Sequence, residues 1–513
     1  VFSKNIHRNI FLFGCCALTF GMVLGAIPTS ISQFIVIANW FLEGNFKNKW
    51  QQLKSSKIFW VLVSVFVMHC LGLIYTQNIN DGMLDIRVVL PLLLLPIVYF
   101  STSPPTLKEL YFVLYSFILG CFINTGWCYI YSFILHSNDV TRDASRFMSH
   151  IRLGLFIDMA ICCCVYFFMK HKATIKKVVF LIIAVYFMFM LYALGLASGV
   201  FNLVLLFIVS GLIVIFKQQL KLKLSALIIL IIGLFFFVNY IKGVYKTQYN
   251  PNKTSTNTNI TIENSQMENG NLVFDKTNNL QLQQQWIKRM PADSFNYEPT
   301  FYNINKYYVL IRYLTSKGLT KDSVGVSKLT EQDLNNIKNN LTNYLYPNWG
   351  YLHKRIYELV NEYDELKHNR NINGHSLTMR LYFWKAAFEI IKNNPLIGVG
   401  TGDVQDELNT TYIKTNSPLS KEWYKRPHNQ FLTITVALGS IGLLVFVMSL
   451  FYPIIKLRKQ LFILYFPFFT LLISSFILED TLETQAGMAF YVTFNTLFLS
   501  FTQLSFLRKE ESN

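Results

Sequence analysis

Charge is scarce in this chain. Only 15% of its 513 residues are charged, against 52% hydrophobic and 16% aromatic. That composition is too apolar for a soluble protein of this size and indicates a polytopic membrane protein. Cysteine is missing from every polar stretch. The eight present, Cys15, Cys16, Cys70, Cys121, Cys128, Cys162, Cys163 and Cys164, all sit in apolar runs, which excludes a disulfide framework or a CxxC metal site. The histidines are scattered, with no HxxxH or HExxH pair, so no metal is expected. No Gly-rich phosphate loop and no internal repeat is visible, and no cofactor is expected. The formal net charge is +17, but in a membrane protein basic loops set topology. No basic region with interleaved aromatics lies outside the membrane-flanking loops, so nucleic acid is not an expected partner.

What the chain does have is long apolar runs. Read at about 20 residues per crossing, they fall at 10–27, 31–42, 57–75, 88–100, 108–136, 151–169, 177–196, 199–216, 223–241, 429–452, 459–478 and 486–506. That makes about twelve spans, the second and fourth short for a full bilayer. The first run has no clear small-residue cleavage site after it and reads as a retained helix. Basic clusters follow the even-numbered spans: Lys47, Lys49, Lys54 and Lys57; Lys170, Lys172, Lys176 and Lys177; Lys217, Lys221 and Lys223; Lys456, Arg458 and Lys459; Arg508 and Lys509. Under the positive-inside rule both ends are then cytoplasmic and the polar interval before the tenth span is extracytoplasmic. The expected organisation is all-α: membrane helices over 1–241, a large polar loop over 242–427, and membrane helices over 428–513.

The loop opens with an Asn/Thr-rich stretch, NPNKTSTNTNITIENSQMENGN, expected to be disordered or loosely folded. Its later half reads as helical. Thr330-Glu331-Gln332-Asp333 resembles a capping start, with Leu334, Ile337, Leu341 and Tyr344 at helical spacing. A second helix is expected over Tyr351–Lys367. A third starts near Ser376 with an apolar stripe of Leu377, Leu381, Trp384, Phe388 and Ile391, flanked by Arg380, and ends before Asn394-Pro395.

The candidate site residues lie around the start of the tenth span. His428 stands where a polar, basic run meets an apolar helix, with Gly439 and Gly442 beyond it. On an unbroken helix the spacing to Gly439 is about three turns, which would put both glycines on the face below His428 as helix-packing positions. An imidazole with an ordinary pKa of about 6.5 suits a general base. Arg152 begins a span at the extracytoplasmic end, where positive charge is disfavoured, and an anionic ligand would explain it; snorkelling to lipid phosphate is the alternative. Arg380 alone reads as structural, and gains weight from the Trp384 and Pro395–Gly400 segment that follows. Arg426 reads first as an interface anchor. Glu479, Asp480 and Glu483, on the same side as His428, read either as a solvated turn or as acids that orient His428 or an arginine. Asp158 and His69 lie within spans with no identifiable partner.

His428-Asn429, nine residues, Gly439, two residues, Gly442 resembles the His-(Asn/Ser/Gln)-x9-Gly-x2-(Gly/Thr/Tyr) motif of bacterial O-antigen ligases. The run from Arg380 through Trp384 to Pro395-Leu396-Ile397-Gly398-Val399-Gly400 is similar to the Arg…Trp…Pro-x-x-Gly-x-Gly segment of the same superfamily, which includes O-antigen polymerases and protein O-oligosaccharyltransferases. One departure stands out. The family's Ser-Arg or Thr-Arg segment corresponds to Leu196-Ala197-Ser198-Gly199-Val200, which has no Arg, and Arg152 is the substitute inferred for it.

The resemblance implies a GT-C-like inner-membrane glycosyltransferase with a helical periplasmic loop domain. Its donor would be an undecaprenyl-diphosphate-linked glycan and its acceptor lipid A–core, a further glycan or a protein hydroxyl. His428 would be the base, and Arg380 and Arg152 the diphosphate ligands. Asn429, Arg426, Glu479 and Glu483 would be supporting residues. Membrane lipids are an expected partner. A polysaccharide transporter is the reading from another class; it is disfavoured because no repeat is evident and the charged candidates gather at one face.

Overall fold

The computed structural model describes residues 3–135, 145, 147–216, 220–249, 266–273, 277–290, 306–368, 372–456 and 459–500. In chain order its helices are α1 Lys4–Leu24, α2 Ala26–Glu43, α3 Phe46–Ser55, α4 Lys57–Ile74, α5 Ile79–Val89, α6 Pro91–Ser101, α7 Leu107–Tyr129, α8 His150–Lys170, α9 Thr174–Ala193, α10 Ala197–Phe216 and α11 Leu220–Gln248. They continue as α12 Asn279–Arg289, α13 Lys306–Ser316, α14 Ser323–Ser327, α15 Glu331–Lys338, α16 Tyr351–Lys367, α17 Ser376–Asn393, α18 Val404–Lys414, α19 Gln430–Lys456, α20 Lys459–Leu478 and α21 Gln485–Ser500. Among the described residues the strands are the two-residue antiparallel pair β1 Met267–Glu268 and β2 Asn271–Leu272, so the fold is all-α. The chain divides into two compact units: Val1–Ile213 with Arg380–Asn513, and Val214–Met379.

In the first unit, seven helical segments are long and apolar enough to cross a membrane: Lys4–Leu24, Lys57–Ile74, Ile79–Ser101, Leu107–Ser132, His150–Lys170, Thr174–Ala193 and Gln430–Ile455. Shorter apolar helices run over Ala197–Leu212 and Ile463–Leu478. The fourth expected span, 88–100, is corrected to Ile79–Ser101, a full 23 residues. Asp81, Asp85 and Arg87 interrupt the apolar run in sequence, but Asn78 caps this stretch as helix through its side chain. Pro91 then opens α6 at its first turn, where a missing N–H costs no hydrogen bond. The residues of the second expected span, 31–42, lie within α2, which starts at Ala26 directly behind Gly25 and is not among the helices long and apolar enough to cross a membrane.

α8 and α21 lie in the centre of this unit. Every residue of α21 from Gly487 to Ser500 is buried. Phe156 stacks on Phe490 with ring centroids 5.0 Å apart, and Phe117 meets Phe494 edge-on at 4.9 Å. α8 meets the start of α10 backbone to backbone: a Cβ added at Gly154 would stand 3.1 Å from the Gly199 nitrogen. A helix that is apolar on all sides belongs in such a centre. α8 therefore carries Arg152 and Asp158 inward with it, both buried.

The second unit contains α11 to α16 and the start of α17. The expected helix at Thr330 forms, and both halves of the Thr330–Asp333 capping box are made. It is shorter than expected: Asn340 turns to φ +59, and Leu341 and Tyr344 fall outside it. α16 has the expected bounds. Residues 250–265, most of the Asn/Thr-rich stretch, lie outside the described residues, as do 501–506 of the last expected span.

Candidate active site

The polar run ends at Pro427 and α19 starts at Gln430. His428 joins them in a left-handed conformation, φ +49, a region that costs a non-glycine residue about 1–2 kcal/mol. Asp480 offsets that cost. Its two carboxylate oxygens accept the backbone N–H of His428 and of Asn429, each at 2.9 Å, and one of them also accepts the Thr433 hydroxyl at 2.6 Å. Asn429 caps α19 by accepting the Leu432 N–H at 3.1 Å, and donates its side-chain amide to the Ile477 carbonyl at 3.1 Å. Its side chain is thus spent on the helix start.

The imidazole of His428 lies with Nδ1 3.0 Å from Glu479 Oε2. A neutral ring donating that N–H carries its lone pair on Nε2. The side chain is 36% exposed while that of Glu479 is 7% exposed, so the ring is accessible and the acid beside it is not. Phe383 covers one side of the ring, with centroids 5.7 Å apart. Trp384 Nε1 donates to the Pro427 carbonyl at 3.0 Å, fixing the residue before the histidine.

Arg380 Nη2 donates to Glu479 Oε1 at 2.8 Å, so histidine and arginine share one carboxylate. Arg152 reaches the adjoining turn, with Nε 3.1 Å from Thr484 Oγ1 and Nη2 3.1 Å from the Asp480 carbonyl. Among the described residues its buried Nη1 has no hydrogen-bond partner. A buried guanidinium donor left open in this way calls for an acceptor. Burial presses the Glu479 carboxyl upward, but the hydrogen bond to His428 and the charges of His428, Arg152 and Arg380 prevail and hold it below its ordinary range. For Asp480 burial prevails, and its carboxyl is pushed up despite the Thr433 hydrogen bond.

Two expectations are corrected at this turn. Glu479 to Glu483 is not solvated: Glu479, Asp480, Thr481 and Leu482 are all buried. Arg426 is not an interface anchor. It pairs inward with Glu483 at 2.5 Å and Asp85 at 3.0 Å, and those two charges raise its pKa over the opposing effect of burial. Glu483 also accepts from Gln430 Nε2 at 3.0 Å. Glu483 therefore clamps the residues two before and two after His428 and does not touch its ring. Asp85 was missed as a site residue, and Asp480 was read with its neighbours as a turn or an orienting acid without being placed in the site. The signal for Asp480 was an acid pair directly ending an apolar span on the side of His428. Asp85 carried no such signal, because its helix did not read as a span.

The role expected of Gly439 is corrected as well. α19 is broken there, with Gly439 at φ +65 and ψ −168, so His428 and the two glycines do not lie on one helical face. The neighbour of Gly439 is the loop after α17, not another helix: a Cβ there would stand 2.2 Å from the Leu396 carbonyl oxygen. Gly398, at φ +72, lies equally close to the backbone of Val436 and Ala437. The break frees carbonyls and amides that a continuous helix would pair. Val399 and Gly400 donate to the carbonyls of Val436 and Ala437, each at 2.9 Å, and Ser440 and Ile441 donate to those of Pro395 and Leu396 at 2.9 and 3.2 Å. Two irregular segments satisfy each other, as buried backbone requires. Gly442 lies just beyond, where a Cβ would meet Leu438 of its own helix across the break.

The buried face of α17 also differs from the expected stripe. Phe383, Ala386, Ala387 and Ile390 pack inward, while Leu381 and Phe388 are exposed. The helix is apolar on two sides, so periodicity alone did not choose between them. His69 is buried on α4. It lines a small cavity with Asp85, Thr401, Arg426, Thr433 and Glu483. Among the described residues no group of His, Cys, Asp or Glu is arranged to hold a metal ion.

Residues 340–447 match the model of the family described as O-Antigen ligase. The matched segment contains Arg380, the Pro395–Gly400 loop, His428, Gly439 and Gly442. It supports the O-antigen ligase superfamily, a group of glycosyl-transferring membrane proteins. No curated protein matches the chain.

Proposed function

We propose that this protein is a membrane glycosyltransferase that moves a glycan from an undecaprenyl-diphosphate donor to an acceptor hydroxyl at the periplasmic face of the bacterial inner membrane. The reaction we assign is ligation of O-antigen to lipid A–core. The observation that carries this reading is the shared carboxylate of Glu479, which holds the His428 ring on one oxygen and Arg380 on the other, with Arg152 on the adjoining turn. In this reading residues 242–427 form the periplasmic loop between two sets of membrane helices, 1–241 and 428–513.

The acceptor oxygen attacks the anomeric carbon of the glycan. The bond from that carbon to the diphosphate oxygen breaks, and its electron pair leaves with the lipid diphosphate. The acceptor proton passes to His428 Nε2, the nitrogen bearing the lone pair when Nδ1–H is donated to Glu479. Arg380 and Arg152 bind the diphosphate and stabilise the charge it gains. The open Nη1 of Arg152 is one donor available to it. The Gly154–Gly199 contact brings α8, two residues past Arg152, against the Ser198-Gly199 segment. That contact supports Arg152 as the substitute for the arginine this segment lacks. The donor's diphosphate leaving group supplies the activation.

The test is the size profile of envelope glycans in a strain lacking the protein, complemented with wild type or with His428→Ala. Ligation predicts lipid-linked long chains accumulating, with lipopolysaccharide losing its ladder, in both the deletion and the His428→Ala strain. Lipopolysaccharide capped by a single repeat would assign a polymerase instead. A normal profile in both strains would remove lipopolysaccharide as the product.

A further inference from the structure

The loop after α17 and the outward face of that helix present an apolar surface that the proposed chemistry does not use. Leu396 and Ile397 are 63% and 53% exposed, yet their backbones lie against the break in α19. That break, at Val436–Ile441, lies roughly 10–15 Å along α19 from its start at Gln430, at 1.5 Å per residue. α19 is long and apolar enough to cross a membrane. A loop paired to its backbone at that distance lies well within the span, not above it. The loop is tied on its other side to α4: the Tyr75 hydroxyl donates to the Ile397 carbonyl at 2.5 Å, and the Thr401 hydroxyl to the His69 carbonyl at 2.7 Å.

Apolar side chains of those same two spans are exposed as well, Ile74 at 79% and Ile441 at 46%, with the Ser440 side chain exposed beside Ile441. Leu396 and Ile397 therefore continue the outward apolar surface of α4 and α19. Further back, Leu381, Lys385, Phe388 and Lys392 share one exposed helical face of α17, with Glu389 exposed at its edge. Apolar residues alternating with lysines form the pattern of a helix lying in a bilayer interface, its lysine stems along the acyl boundary and its amines at lipid phosphates. Irregular backbone is tolerated at hydrocarbon depth only where its polar groups are paired within the protein. The four hydrogen bonds between Pro395–Gly400 and Val436–Ile441 meet that condition.

We infer that Pro395–Gly402 is a re-entrant loop seated within the hydrocarbon of one leaflet, and that α17 lies on the interface of the same leaflet through Leu381, Lys385, Phe388 and Lys392. The partner of this surface is phospholipid. The inference is independent of the reaction assigned above.

The test uses the full chain in phosphatidylethanolamine–phosphatidylglycerol vesicles, with a nitroxide label at Leu396→Cys, Phe388→Cys or Glu422→Cys. The unsubstituted chain taken through the same labelling gives the background. Collision with dissolved oxygen should exceed collision with an aqueous nickel chelate severalfold at position 396 and more modestly at 388. The order should reverse at 422. A chelate-dominated signal at 396 would place the loop in water and overturn the inference. So would low accessibility to both reagents, which would mean that protein, including a second copy of the chain, covers it. Ile397→Cys provides the same reading should the label at 396 disturb folding.

Discussion

Two buried ionic clusters in this protein look alike on a list of contacts and differ in how completely they are satisfied. In the second unit, Glu268 is fully buried and its carboxylate is saturated. Arg312 donates twice to Oε2, at 2.8 and 2.6 Å, while Asn343 and Tyr357 donate to Oε1 at 2.8 and 2.9 Å. In the first unit, Glu479 holds His428 and Arg380, but His428 is partly exposed and carries a left-handed backbone, and one terminal nitrogen of Arg152 has no acceptor among the described residues. The saturated cluster has nothing left to offer a ligand, and its physics is that of a fold determinant. The unsaturated one retains donor capacity and conformational strain that a structural role does not need. Buried charge therefore does not distinguish the two clusters; unspent hydrogen-bonding capacity does.

The sharpest way to break this comparison is to remove an arginine from each cluster. Arg312→Ala should lower stability by about 3–5 kcal/mol, the range for breaking a buried pair and stranding its partner. Arg380→Ala should shift unfolding much less, because Glu479 keeps His428 and the field of Arg152, yet should slow transfer by about 10²–10³-fold. Thermal unfolding in detergent and a transfer assay on the same preparations measure both; equal losses of stability would sink the distinction.

A smaller effect sharpens it through pH. The Glu479 carboxyl is held below its ordinary range in the folded protein. Its stabilisation is therefore fully present above the ordinary glutamic acid pKa of about 4.3 and is lost as pH falls through the depressed folded value. Glu479→Gln should flatten that acid limb of the stability profile. It should also lower the transfer rate at neutral pH, since the His428 ring loses the carboxylate that sets its tautomer. An unchanged acid limb would show that His428 and the arginines do not hold Glu479 ionised. The smallest expected change is Asn429→Ala, about 1 kcal/mol from loss of the α19 cap, with KM for the donor unchanged. A KM effect larger than the stability effect would instead put Asn429 in contact with substrate.

Much of the membrane framework was legible because hydrocarbon imposes length and apolarity on each span, and both are local properties. Residues 57–75, 151–169 and 177–196 match their helices within a few residues. Ile79–Val89 was not legible, since its three charges interrupt the apolar run and Asp85 finds its partner, Arg426, far along the chain. The site divides in the same way. His428 and Arg152 stood out as titratable or cationic groups at span ends, and Arg380 through the segment that follows it; the structure gathers all three at the Glu479–Asp480 turn. The buried role of Asp480 did not stand out, because an acid that accepts backbone amides leaves no spacing pattern.

Composition and periodicity by themselves determined that this chain is an all-α membrane protein, with the candidate residues His428 and Arg152 at the ends of spans. Those conclusions depend only on the solvent each residue prefers and on the repeat of the helix. Tertiary structure decided which carboxylate faces His428, which way Arg426 points, which side of α17 is buried, and that α19 breaks at Gly439. Each of these depends on a backbone or side chain far away in sequence. The break in α19 shows why: an unpaired carbonyl or amide in a dry interior needs a partner, and the one it found, Pro395–Gly400, reaches it only once the chain has folded back.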